Sequence, residues 1–229
     1  HLSDSGAVDE LAVFDVVDGL ASRWADENSG EVADSVTSAV TGAEFIITSL
    51  PADQQLQVVA DELVPAIATT AVWVDHSTVS ARLARTVSES VSAVDAYFLD
   101  APVSGGVDGA RKGVLTVMVG GDEGAFLRAE PVVGSYASRI RRMGGSGAGQ
   151  LTKMTNQICV VGLCQALAEG LDFASRAGLD VENVVEAMLQ GSSTSWQMEN
   201  RAEKMLEGDY DFGFSTTLMR KDIGLVLEE

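Results

Sequence analysis

The residues Gly147 to Gln157, "GAGQLTKMTNQ", hold one of four lysines in a chain of 229 residues; the others are Lys112, Lys204 and Lys221. Asn156 and Gln157 follow Lys153 by three and four residues, which a helix would place on the same face. A cation in the first turns of a helix opposes the macrodipole, so a merely solvated lysine is less expected there. An amine partly withdrawn from water gives up its proton more readily. It could then exchange a proton with a substrate oxygen while the two amides orient that substrate. A solvated surface lysine is the plain alternative, and this stretch alone leaves both readings open. Gly147 and Gly149 leave room for a close approach at a helix N-terminus, where N–H dipoles favour anions.

Other stretches carry chemistry of their own. "DAPVSGG" (100–106) offers the Ser104 hydroxyl and the unobstructed backbone of Gly105 and Gly106, a cradle suited to a carboxylate. A simple tight turn would read the same. Asp15 closes the β-rich run "LAVFD". In a dinucleotide-binding fold an acid there accepts hydrogen bonds from the adenosine ribose and repels a 2′-phosphate. No arginine follows it (Val16, Val17, Asp18), which favours NAD over NADP. The alternative is a strand-end aspartate that merely caps the next turn. "SLP" (49–51) and "DHSTVS" (75–80) both follow apolar runs, at the strand ends where open α/β sheets bind ligands. Metal and triad chemistry find little support. The only histidines are His1 and His76, and no Cys/His cluster has ligand spacing. "SWQMENR" (195–201) reads as a helix with its N-cap.

These residues need elements to hold them. Short apolar runs at 11–15, 45–51, 72–75, 96–103 and 114–121 alternate with helix-like segments at 18–27, 52–67 and 80–93. That alternation predicts an α/β domain of Rossmann type with a largely parallel sheet. From Gly147 onward the pattern is helical throughout. One long helix is expected to be closed by Gly178, with an apolar middle (158–167) buried on most sides, and helices follow at 181–190, 195–207 and 216–229. Two domains are therefore expected: a dinucleotide-binding domain at 1–145 and an all-α domain at 146–229. The first lacks the opening strand and glycine-rich loop of such folds, and the second stops inside a helix. Both are expected to be truncated at their outer ends.

Composition narrows the function classes. Hydrophobic residues make up 46% and charged ones 21%, ordinary for a globular protein. No uninterrupted apolar run approaches the ~20 residues of a membrane span, and no signal-peptide pattern opens the chain. A net charge of −19 disfavours nucleic acid and anionic membranes as partners. A small anionic substrate stays open, because a site can be locally positive on an acidic protein. Cys159 and Cys164 sit five residues apart in one predicted helix, pointing to different faces, which suits free thiols in a reducing cytoplasm.

Taken together, "DAPVSGGVDGARKGVLTVMVGGDE", "GSGAGQLTKMTNQ" and "FSTTLMRKDIGLVLEE", in this order and over most of the chain, resemble the β-hydroxyacid dehydrogenase family. That family includes 3-hydroxyisobutyrate dehydrogenase, tartronate semialdehyde reductase and, more distantly, 6-phosphogluconate dehydrogenase. The resemblance implies an NAD-dependent oxidoreductase with Lys153 as catalytic acid/base. It implies substrate contacts from Ser104, Gly105, Gly106, Asn156, Gln157, Phe214 and Asp222. It implies cofactor contacts from Asp15, Leu50, Pro51, Gln55, Thr78 and Lys221. No metal is needed for this chemistry. A homodimer or homotetramer is expected by family analogy and from the apolar central helix. The alternatives are a tartronate semialdehyde reductase, an imine reductase, which Lys153 argues against, or a non-catalytic dinucleotide-binding or oligomerisation module.

Overall fold

The computed structural model describes residues 1–210 and 213–229. In chain order the first elements are β1 (Ala12–Val13), α1 (Leu20–Glu27), β2 (Glu31–Val32), α2 (Val36–Val40), β3 (Phe45–Thr48), α3 (Asp53–Leu63), β4 (Val72–Asp75) and α4 (Ala81–Ser92). Next come β5 (Tyr97–Asp100), β6 (Val103–Ser104), α5 (Gly106–Lys112), β7 (Leu115–Gly120), α6 (Glu123–Val133) and β8 (Ala137–Gly144). The helices α7 (Ala148–Arg176), α8 (Val181–Leu189), α9 (Trp196–Glu207) and α10 (Thr216–Glu228) complete the chain. It divides into two compact units: His1–Lys153 with the terminal Glu229, and Met154–Glu228. The first is an α/β unit of Rossmann type and the second is helical.

In the first unit β1 and β2 pair in parallel, and a second sheet has the order β3-β4-β5-β7-β6 with β8 on β7. β3, β4 and β5 run parallel in one register, Thr48 beside Asp75 beside Asp100. All four residues of β4, "VWVD", are buried because both faces of the sheet are covered. Trp73 and Phe98 join Leu56, Leu63, Leu83 and Val87 on one face. Val72, Val74 and Leu99 join Ala125, Ala129 and Val133 on the other. Consecutive strand residues thus enter opposite cores, as the two-residue period of a strand requires. Each full burial of such a side chain is worth about 1.5–3 kcal/mol. The Trp73 ring meets Phe98 edge-on, with centroids 4.9 Å apart, and its indole N–H donates to Thr48 Oγ1 at 2.8 Å. Helix α4 starts at Ser80, whose hydroxyl accepts from the Leu83 amide, and turns Ala84, Val87 and Val91 inward at helical spacing.

The sheet is largely parallel, as expected, with β3-β4-β5 and β7-β8 pairing in parallel, but it is mixed where the strands after β5 meet β7. The chain turns back after Asp100, so β6 and β5 both meet β7 antiparallel, and "AYFLDAPV" holds two strands instead of one. β8 was invisible to apolar patterning. It lies on the sheet margin with Arg139, Arg141 and Arg142 exposed, and such charges protect an edge while hiding its period. β2, with two exposed residues, and the short helices α2 and α5 lacked the same signal.

In the second unit Leu167 and Leu171 of α7 pack with Met198, Ala202, Val185 and Met205. Helix α7 ends as expected: Gly178 has φ 75°, and the Leu179 amide reaches back to Ala174 O at 3.1 Å. The expected burial of its middle does not hold. Ile158 is 50% exposed and Leu163 43%. The small core of this unit takes Leu167 and Leu171 from α7, and among the described residues nothing covers Ile158 or Leu163. By length and mean hydropathy (1.4 over 18 residues) α7 could cross a membrane. Yet Gln150 and Gln157 on it are buried and hydrogen-bonded to protein groups, as a helix facing lipid on all sides would not allow.

Candidate active site

The start of α7 is built around a carboxylate. Asp100 ends β5 fully buried, and its Oδ1 accepts the Gly147 amide at 2.7 Å. Its Oδ2 accepts the Gln150 amide at 3.0 Å. The anion expected at this helix N-terminus is therefore the protein's own, which corrects the reading of the glycines as room for a ligand. Gly149 admits the strands instead, and Gly147 admits α4. A Cβ on Gly149 would lie 2.4 Å from both Asp100 O and Met118 O, and one on Gly147 2.9 Å from Arg85 Nε. Burial pushes the Asp100 carboxyl up to about 6, although the Gly147 and Gln150 amides favour its ionised form.

Three rungs join the loops after β3 and β4. Thr48 Oγ1 donates to Asp75 Oδ1 (2.7 Å), the Leu50 amide donates to Ser77 Oγ (2.8 Å), and Ser80 donates through its amide and hydroxyl to the Asp53 carboxylate. Ser77 Oγ in turn donates to Asp75 Oδ1 at 2.6 Å. Among the described residues Asp75 Oδ2 has no hydrogen-bond partner, and burial drives this carboxyl up to about 6. His76 is structural. Its Nδ1 faces Ala101 O at 2.6 Å and its Nε2 faces the Tyr136 hydroxyl at 2.8 Å, and burial pushes its pKa down. The neutral ring then donates from Nδ1 and accepts at Nε2.

Raised carboxyls carry a sign for stability. Between about pH 4 and 6 the folded chain holds protons on Asp75 and Asp100 that the unfolded chain has released. Stability from these groups therefore falls as pH rises through that window and is level above it. Asp75→Asn keeps the Oδ1 acceptor and removes the charge. It is expected to raise stability by about 1–2 kcal/mol at pH 7.5, once the burial of an unpaired amide NH₂ is subtracted from the charge relief. Urea melts at pH 7.5 and pH 4 check this: the gain should vanish at pH 4, and an equal gain at both would refute the charge explanation.

The residues singled out from sequence fall as follows. In the first unit Leu50 and Pro51 follow β3, Thr78 follows β4, and Ser104 ends β6. Gly106 begins α5 at φ 60° with open space where a Cβ would stand, and Gly105 has φ 124°. Asp15 lies exposed after β1 and accepts its own Val17 amide at 2.8 Å, and Gln55 is exposed on α3. Lys153 is 8% exposed, six residues into α7. In the second unit the Asn156 amide donates to Gln157 Oε1 (2.9 Å) and Gln157 Nε2 donates to Asp222 Oδ2 (2.6 Å). Lys221 Nζ stands 3.1 Å from Asp222 Oδ1. The structure thus joins Asn156, Gln157, Lys221 and Asp222 in one chain of polar contacts, while Phe214 is exposed ahead of α10. Sequence reading assigned no role to Asp100, Gln150, Asp75 or Asp53. The available signals were an acid ending each of two apolar strands and an amide directly after the glycine pair.

The residues present fit a nicotinamide cofactor. Leu50, Pro51 and Thr78 leave the carboxyl ends of adjacent parallel strands, where open α/β sheets bind ligands, and Asp15 leaves that end of β1. Comparison with known proteins decides the family. Residues 4–163 match the NAD binding domain of 6-phosphogluconate dehydrogenase. Residues 147–229 match the NAD-binding domain of NADP-dependent 3-hydroxyisobutyrate dehydrogenase. The chain belongs to the β-hydroxyacid dehydrogenase family. It is 44% identical over 232 residues to an uncharacterized oxidoreductase of Shewanella frigidimarina, spanning all of this chain and 79% of that protein. It is 39% identical to 2-hydroxy-3-oxopropionate reductase of Escherichia coli, over 68% of this chain and 53% of the relative. A structure of Mycobacterium tuberculosis 3-hydroxyisobutyrate dehydrogenase with L-serine superposes with a TM-score of 0.90 at 32% identity, covering 97% of this chain and 79% of that one. As a member of this family the chain is an oxidoreductase whose cofactor is a nicotinamide dinucleotide.

Proposed function

We propose that this β-hydroxyacid dehydrogenase oxidises a small 3-hydroxy acid such as 3-hydroxyisobutyrate with NAD, using Lys153 as general acid/base. The observation that carries this reading is the burial of Lys153 near the start of α7, in a chain with four lysines. When bound, NAD supplies the hydride acceptor. The neutral Lys153 amine takes the β-hydroxyl proton as the C–H bonding pair departs, leaving a carbonyl. In reverse, the ammonium returns that proton to the developing alkoxide. Ser104 with Gly105 and Gly106 holds the substrate carboxylate, the open space over Gly106 allowing close approach. Asn156, Gln157, Phe214 and Asp222 contact the substrate, with Asn156, Gln157 and Asp222 held by their mutual hydrogen bonds. Leu50, Pro51, Gln55, Thr78 and Lys221 contact the cofactor.

Asp15 favours NAD over NADP by repelling a 2′-phosphate, and dependence on this intracellular cofactor suits a cytoplasmic enzyme. The bare apolar surface of α7, with Ile158 and Leu163, suits a homodimer or homotetramer. The M. tuberculosis enzyme was solved with L-serine, itself a 3-hydroxy acid, which supports this substrate class. Similarity to the E. coli reductase favours tartronate semialdehyde reduction as the second reading. A panel of 3-hydroxy acids with NAD and NADP, and tartronate semialdehyde with NADH, separates them. NAD-dependent turnover of 3-hydroxyisobutyrate exceeding NADH-dependent turnover of tartronate semialdehyde supports the first reading. Turnover confined to the semialdehyde supports the second, and inactivity throughout with NAD bound would leave a non-catalytic module.

A further inference from the structure

Resting on the reaction proposed above, we propose that Gln150 is a positioning residue that sets the Ser77–Val79 turn against Lys153. Its side chain is fully buried and both ends of its amide are used. Oε1 accepts the Val79 amide at 3.1 Å, and Nε2 donates to Ser77 O at 2.9 Å. The two anchored groups flank Thr78, which the proposed function assigns a cofactor contact. Ser77 is held from its other side by Asp75 and by the Leu50 amide, so the turn cannot move independently of the loop after β3. The backbone of Gln150 is pinned as well, donating to Asp100 Oδ2. Lys153 lies three residues further along the same helix, about 4.5 Å along its axis. One rigid segment therefore carries the proposed proton acceptor and grips the turn on the cofactor side.

The chemistry of the bridge requires an amide of this length. Glutamate in its ionised form would present two acceptors to the Ser77 carbonyl. Asparagine falls one methylene short, and methionine leaves a buried N–H and C=O unpaired. A protonated glutamic acid, by contrast, has one donor and one acceptor and can replace the amide. The charged or titratable groups near this position include Asp75 and His76 just before the turn, Asp53 bound to Ser80 just after it, Asp100 under the helix start, Arg85 of α4 beside Gly147, and Lys153.

Gln150→Met and Gln150→Glu test the idea in the full-length protein, below the measured melting temperature of each variant. Gln150→Met should lower kcat about 10–100-fold with the hydroxyacid KM changed less than about threefold, and should raise the primary deuterium isotope effect. The ratio of Gln150→Glu to wild-type kcat should climb as pH falls from 8 to 5.5, because protonation restores the bridge. Without substrate or cofactor, the Val79 amide should exchange hydrogen about tenfold faster in Gln150→Met, while Val87 in α4 is unchanged. A role in stability alone would lower the melting temperature but leave the kcat of the folded variants, and the pH ratio, flat. That result, or an unchanged Val79 amide, overturns the proposal. If wild-type enzyme turns over nothing on the panel, the reaction reading fails, and Val79 exchange still decides whether Gln150 holds the turn.

Discussion

Lys153→Met should lower turnover about 10²–10⁴-fold, the usual contribution of a positioned general acid/base, and leave NAD affinity within about threefold of wild type. Methionine fills a similar volume and needs no proton or partner, so the buried position of Lys153 stays packed. The near-UV circular dichroism of the variant should match wild type below its melting temperature, which separates lost chemistry from lost structure. Lys153→Arg completes the test: a guanidinium keeps its proton at neutral pH and cannot act as the base, so it should be equally inactive. Initial rates with saturating hydroxyacid and NAD, beside fluorescence titration of NADH, supply both readouts. Turnover within tenfold of wild type in Lys153→Met would remove this lysine from the reaction.

Gly149→Ala should destabilise the first unit by about 3 kcal/mol or more, at or beyond the upper end of ordinary overpacking. The added Cβ would sit 2.4 Å from two backbone oxygens, Asp100 O at the end of β5 and Met118 O on β7. Neither belongs to a flexible side chain that could swing aside. Relief requires the start of α7 to back away from the sheet, which stretches the bonds from Gly147 and Gln150 to Asp100. Turnover should fall with stability, because Lys153 rides on the same segment. Gly170, on the same helix with open space around its missing Cβ, is the control. Gly170→Ala should be neutral or stabilising by about 0.5–1 kcal/mol, the helix-propensity gain. Chemical denaturation of both variants checks the contrast. A Gly149→Ala protein as stable as wild type would mean that this helix and sheet are not so close.

Much of this molecule was legible because local patterns carried it. Continuous apolar runs located β3, β4, β5 and β7, and the helical period located α3, α4 and α7–α10. β8 was not legible, since an exposed edge lined with arginines has no apolar alternation to read. The mixed sheet was not legible either, because strand direction depends on where the chain turns and not on composition. Of the proposed site, Lys153, Ser104 and the paired amides stood out by residue type and spacing.

What sequence alone determined was the α/β-then-helical order of elements and a short list of chemistry-bearing residues, because periodicity and residue type are local properties. Tertiary structure decided the rest. It showed that the anion at the start of α7 is Asp100 and that Gln150 clamps a turn more than seventy residues away in sequence. It also showed that Ile158 and Leu163 in the apolar middle of α7 are left exposed among the described residues. A hydrogen bond is a distance and an angle between groups that only folding brings together, so no local pattern encodes it.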